Sequence, residues 1–160
     1  MSQVLSKSGS RTSRGLSEIP MKTQGEIQAA ISERIASFGQ EYIGRGPRAI
    51  HAHLIGDLLV IRLQGVLTTA ELHLVKSGPT QSVGRNLLKQ FRTHLVETAR
   101  PLLETMIQEV TGTNVLSLHH DLSTVTGEEV MLFTLAEAPV CRQSRSEKVG
   151  SSLGTYKRVT

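Results

Sequence analysis

Apolar residues first fall into helical rhythm at Ile27, Ile31, Ile35, Phe38 and Tyr42, which places them on one stripe of a helix. Thr23-Gln-Gly-Glu26 opens that helix as a capping box, with Glu26 placed to reach back to the cap. Gly44 predicts a left-handed C-cap, and Pro47 forbids continuation. The period then drops to two. Arg48–Ile55 and Leu58–Gln64 flank Gly56-Asp57, a two-residue hairpin turn with glycine first. Alternation gives Ile50, Ala52, Leu54, Leu59, Ile61 and Leu63 to one face, and His51, His53, Ile55, Leu58, Val60, Arg62 and Gln64 to the other.

A second capping box, Thr68-Thr-Ala-Glu71, starts a short helix that should end before Gly78-Pro79. A long helical pattern follows from about Ser82 to Thr111, with Leu87, Leu88, Phe91, Leu95, Leu102, Met106 and Val110 as its apolar stripe. Pro101 lies inside this run and is expected to kink or split it, because its ring removes a hydrogen bond. Val115–Asp121 and Glu129–Leu135 read as a second hairpin around Thr126-Gly127. The order α-β-β-α-α-β-β predicts an α+β domain: a four-stranded antiparallel sheet covered by helices on one face.

Composition narrows the chemistry. Aromatics are 3% of the 160 residues and Trp is absent, so the core is aliphatic and a base-stacking platform is not available. Cys141 is the one cysteine, which excludes an internal disulfide and a cysteine-rich metal site. Neither a secretory signal nor a bilayer-spanning apolar run is legible, so a soluble, cytoplasmic protein is expected. The net charge of +4 is unevenly held: residues 1–20 carry +2, residues 138–160 carry +4, and residues 21–137 carry −2. The two end segments, rich in Ser and Gly, read as disordered basic tails around a 21–137 domain.

Candidate sites are few. Gly44, Arg45, Gly46 and Arg48 could form an anion-binding loop, with glycines that let N–H groups converge and arginines that supply charge. The plainer reading of the same residues is a helix stop followed by a rigid turn. His51 and His53 share a strand face, and His119 and Asp121 share another; a metal cluster would need those strands to be neighbours. No nucleophile elbow or phosphate-binding loop is present. No catalytic residue, metal or cofactor is assigned.

Three tracts carry a family resemblance: Glu41-Tyr-Ile-Gly-Arg-Gly-Pro47, Ala99-Arg-Pro-Leu-Leu103 with Thr111-Gly112, and the stretch from Val115 to Leu135. In this order and spacing they resemble the YbcI-like, or MpsC-like, domain family of bacteria, over residues 21–137 and not the tails. The resemblance implies a setting: some relatives are similar to the third component of the MpsABC system, described as sodium-translocating and membrane-potential-generating. Its membrane partners resemble bicarbonate uptake complexes. It implies no catalytic residues.

The expectation is therefore a non-enzymatic accessory or regulatory protein acting through protein–protein contacts, linked to membrane ion or bicarbonate transport and peripheral to the membrane. The alternative is a nucleic-acid-associated protein that uses its basic tails, whose binding to nucleic acid or anionic lipid should be weak and salt-sensitive. A homodimer is expected through the sheet face away from the helices, with Ile55, Leu58, Val60, Arg62 and Val115 as interface candidates. The competing possibility is that the short helix at 69–76 folds over that face.

Overall fold

Both capping boxes form. The Thr23 N–H donates to Glu26 Oε2 at 2.7 Å, and the Thr68 N–H to Glu71 Oε2 at 2.7 Å. Each threonine hydroxyl accepts the return bond from its glutamate's N–H at 3.2 Å. The computed structural model describes residues 21–76 and 81–143, so the expected Gly78-Pro79 stop lies outside the described residues. The elements are α1 (Gln24–Phe38), a π-helical turn (Gly39–Ile43), β1 (Ala49–Ile55), β2 (Leu58–Gln64), α2 (Thr69–Lys76), α3 (Gln81–Thr111), β3 (Val115–Ser123) and β4 (Glu128–Leu135). Gly44 closes the first helical unit in the left-handed region at φ 80°, and Gly56 opens the first hairpin turn at φ 62°.

The four strands form one antiparallel sheet in the order β1-β2-β4-β3. Helices pack against its inner face, where Ala52, Leu54, Leu59, Ile61, Leu63, Leu118, Leu122, Met131, Phe133 and Leu135 join Ile27, Ile31, Ile35 and Leu103 in one core. The edge strands are partly blocked. On β1, Leu54 donates its N–H to Gln28 Oε1 at 2.9 Å and accepts from Gln24 Nε2 at 2.8 Å. On β3, the carbonyl of Leu118 accepts from Arg100 Nη2 at 2.9 Å.

Two expectations are corrected. The apolar stripe read for α3 holds at Leu88 and Met106, which are buried, and fails at Leu87, Phe91 and Leu102, which are exposed; Arg92, Val96, Ala99, Leu103 and Ile107 complete the buried face. Arg92 causes the error, because an arginine on the core face breaks any apolar stripe drawn through it. Val115 belongs to the core side and not to the outer face, because the β3–β4 register shifts between Val115 and Ser117. The extra residue of this bulge, Leu116, points outward at 68% exposure. Pro101 does not split α3, which stays helical across it.

Residues 138–143 fall on the tail side of the boundary read from the sequence, and they are placed against the domain. Arg142 donates its N–H to the Lys22 carbonyl at 2.9 Å, Pro139 is buried, and Cys141 packs against the core. Residues 1–20 and 144–160 lie outside the described residues.

Candidate functional site

Inside the aliphatic core lies a chain of polar side chains that the sequence did not announce. Arg92 on α3 is 1% exposed. Its Nε and Nη2 donate to the two oxygens of Glu71 on α2 at 3.1 and 3.0 Å, and Nη2 also donates to the Val66 carbonyl at 2.9 Å. Its Nη1 faces Glu129 of β4 at 3.7 Å. Glu129 in turn meets His120 Nε2 of β3 at 2.5 Å, with both side chains almost fully buried. Glu71 thus has two tasks, closing the cap on Thr68 and neutralising Arg92. The chain ties α2, α3, β3, β4 and the loop after β2 together. A small cavity beside it, lined by Ile43, Arg45, Leu95, Arg92 and Glu129 among others, holds about 20 Å³, room for about one water. That volume suits a structural water and not an organic substrate.

Three N–H groups of the Gly44–Arg48 loop and the Arg45 side chain bond within the domain. The N–H groups of Arg45, Gly46 and Arg48 donate to the Gly39 carbonyl, Gln40 Oε1 and the Gln64 carbonyl. Arg45 Nη1 donates to the Leu67 carbonyl at 3.0 Å. The geometry is that of a helix stop whose arginine holds the loop after β2.

The outer sheet face is laid out by the register in four rows. They read Ala49–Gln64–Glu128–Ser123, His51–Arg62–Val130–Asp121, His53–Val60–Leu132–His119 and Ile55–Leu58–Thr134–Ser117, running from β1 to β3. Ile55, Leu58, Val60 and Arg62 therefore share this face, as expected. The histidines do not come together, because β1 and β3 are opposite edges of the sheet. Among the described residues no group of three or more His, Cys, Asp or Glu is placed to hold a metal. Arg62 donates from Nε and Nη2 to Glu128 Oε2, and this bond holds the Glu128 carboxyl below its ordinary range. The Lys89 ammonium, 2.8 Å from Asp121, lowers the Asp121 carboxyl likewise.

Neither α2 nor any other described helix covers this face. Its apolar residues Leu58, Val60, Val130 and Leu132 are absent from the core and from the residues packed on it, while α2 packs against α3. A second uncovered surface lies on α3, where Val83, Leu87 and Phe91 recur every fourth residue at 64%, 54% and 56% exposure. Leu102 further along and Leu74 on α2 are also exposed, at 47% and 41%.

A sheet with one face that no described helix covers, a helix with an exposed apolar row and a buried ion-pair chain together define a small α+β domain. The chain belongs to the MpsC family: the family model for MpsC, of a Na+-translocating membrane potential-generating system, matches residues 23–137. It is similar to the uncharacterized protein YbcI of Bacillus subtilis (strain 168), 38% identical over 114 residues that cover 71% of this chain and 89% of that one. No solved structure matches. Among the described residues, no helix is long and apolar enough to cross a membrane.

Proposed function

We propose that this protein is a non-enzymatic accessory component, a homodimer that acts by protein–protein contact on the membrane part of an ion- or bicarbonate-transporting system, from the cytoplasmic side. The observation that carries this reading is the row Val83, Leu87 and Phe91 on α3, beside Leu74. A contiguous exposed apolar patch is retained where a partner covers it, and a row at helical spacing suits a groove or a partner helix. The family supplies the setting, a membrane potential-generating system. The buried chain around Arg92 supports the same reading: it holds α2 on α3, so the two helices present the patch as one rigid surface.

The test is co-expression with the membrane component of such a system, followed by solubilisation in mild detergent and capture of this protein. Leu87→Asp and Phe91→Asp should lose the membrane component while keeping the native circular dichroism spectrum. Capture undiminished by both variants would overturn the assignment of this surface.

A further inference from the structure

At one step the buried chain is not directly bonded. Arg92 uses Nε and Nη2 for Glu71 and the Val66 carbonyl. Glu129 uses Oε1 for His120. Among the described residues, Arg92 Nη1 and Glu129 Oε2 make no hydrogen bond, and they face each other at 3.7 Å, too far apart for a direct one. Their side chains are only 2% and 3% exposed, where a donor and an acceptor are costly to leave alone. Neither atom is walled in, however. The fully enclosed, unpartnered side-chain atoms are Arg85 Nε, Arg100 Nε, Thr113 Oγ1 and His120 Nδ1, among the described residues. Arg92 and Glu129 instead both line the cavity of about 20 Å³.

We infer that one water is bound in this cavity, where it accepts a hydrogen bond from Arg92 Nη1 and donates one to Glu129 Oε2. The two atoms select the ligand. An anion on Nη1 would stand against the Glu129 carboxylate, and a cation on Oε2 would stand against the guanidinium. What suits a donor beside an acceptor is a hydroxyl, which serves both. A volume of about 20 Å³ restricts that hydroxyl to a water, and two polar partners are the least that a buried water requires. Ile35, Leu63, Val66, Val96 and Met131 supply apolar wall, so the water is held on the charged pair. With it in place, hydrogen bonds run unbroken from the Thr68 N–H through Glu71, Arg92, the water and Glu129 to His120. The cap of α2 and the edge strand β3 are then joined through the core. This inference does not depend on the contact surface of α3.

The experiment uses the full chain. In solution, nuclear Overhauser spectra selective for water should show a long-lived water at the Met131 and Val96 methyls, groups that exchange no protons themselves. A crystal structure should place that water within about 3.2 Å of both Nη1 and Oε2. Val96→Ile puts one more methyl group into the cavity. That chain should lose the water signal at Met131 and unfold at lower denaturant, because the displaced water takes its two bonds with it. Val66→Ile is read in the same way if Val96→Ile does not fold. No water signal at either methyl of the unaltered chain overturns the proposal. So does a folded Val96→Ile chain that is more stable, the response of a dry cavity that has been filled. A signal that persists in the variant places the water elsewhere and also overturns it, as does a crystal structure with Nη1 bonded directly to Oε2.

Discussion

A Cβ placed on Gly84 would stand 2.3 Å from the carbonyl oxygen of Leu74, so α2 crosses α3 at a point where only a hydrogen fits. Gly→Ala within a helix ordinarily gains about 1 kcal/mol. Here the clash is with backbone, which cannot swing aside, so the sign reverses. Gly84→Ala should cost about 1–3 kcal/mol by denaturant titration. Hydrogen exchange should speed up in residues 69–76 before the rest of the domain. A stability gain would show that α2 does not lie this close.

Arg92 pairs with the half-buried Glu71 and faces the buried Glu129, and removing it leaves Glu129 with the His120 ring alone. Arg92→Met should destabilise the domain by about 3–5 kcal/mol, because Glu129 would remain buried without its cation. Arg92→Lys should also be damaging, since an ammonium cannot make the two-pronged contact with Glu71 and reach Val66 as well. Arg92→Met combined with Glu129→Leu should recover much of the loss. Chemical denaturation of the three variants checks this, and additive losses in the double variant would refute it.

The same residue shows where the sequence stops being legible. Caps, hairpin turns and the period-two strands were readable because each is local: Thr23 with Glu26, Thr68 with Glu71, and Gly56 between its strands. The core face of α3 was not, because Arg92 occupies it. Hydrophobicity then favours Leu87, Phe91 and Leu102 beside the correctly read Leu88 and Met106, each of the three about 100°, one residue of helix, from the buried Leu88, Arg92 and Leu103. Glu129 and His120 were missed for the same reason, since a buried ion pair is visible only when distant segments are brought together. The outer-face candidates Ile55, Leu58, Val60 and Arg62 followed from simple alternation. Val115 did not, because a bulge moves it to the other face and leaves no signature in the residues themselves.

Three carboxyls lie below their ordinary range in the folded chain. Glu26 is lowered chiefly by the Thr23 N–H, Asp121 by Lys89 and Glu128 by Arg62. Each has a folded value below its unfolded one, so the stability it adds is present above the ordinary carboxylate range and is lost as pH falls through the lowered value. Denaturation midpoints should therefore fall below about pH 4. Glu26→Gln, Asp121→Asn and Glu128→Gln together should flatten that decline, and the effect should shrink in high salt because all three groups lie near the surface. A midpoint that falls equally steeply in the triple variant would mean that other groups govern the acid limb.

The segment from Pro139 to Arg142 completes the domain beside α1. Thr23 and Arg142 form an isolated parallel bridge, the Arg142 N–H donates to the Lys22 carbonyl at 2.9 Å, and Cys141 packs on the core while its thiol donates to the Pro139 carbonyl at 3.4 Å. These contacts close the chain at the start of α1, next to the capping box. A chain ending at Gln143 should therefore melt with the full-length protein. A chain ending at Glu137, the boundary that composition alone would choose, should be less stable by about 1–2 kcal/mol, the scale of burying a proline and half a cysteine. For a domain of this size that is roughly 4–8 °C in melting temperature. Limited proteolysis of the full chain gives an independent reading: cleavage between Ala138 and Arg142 should be slow. Equal melting of the two shortened chains, or early cleavage within 138–142, would show that this segment is not part of the folded unit.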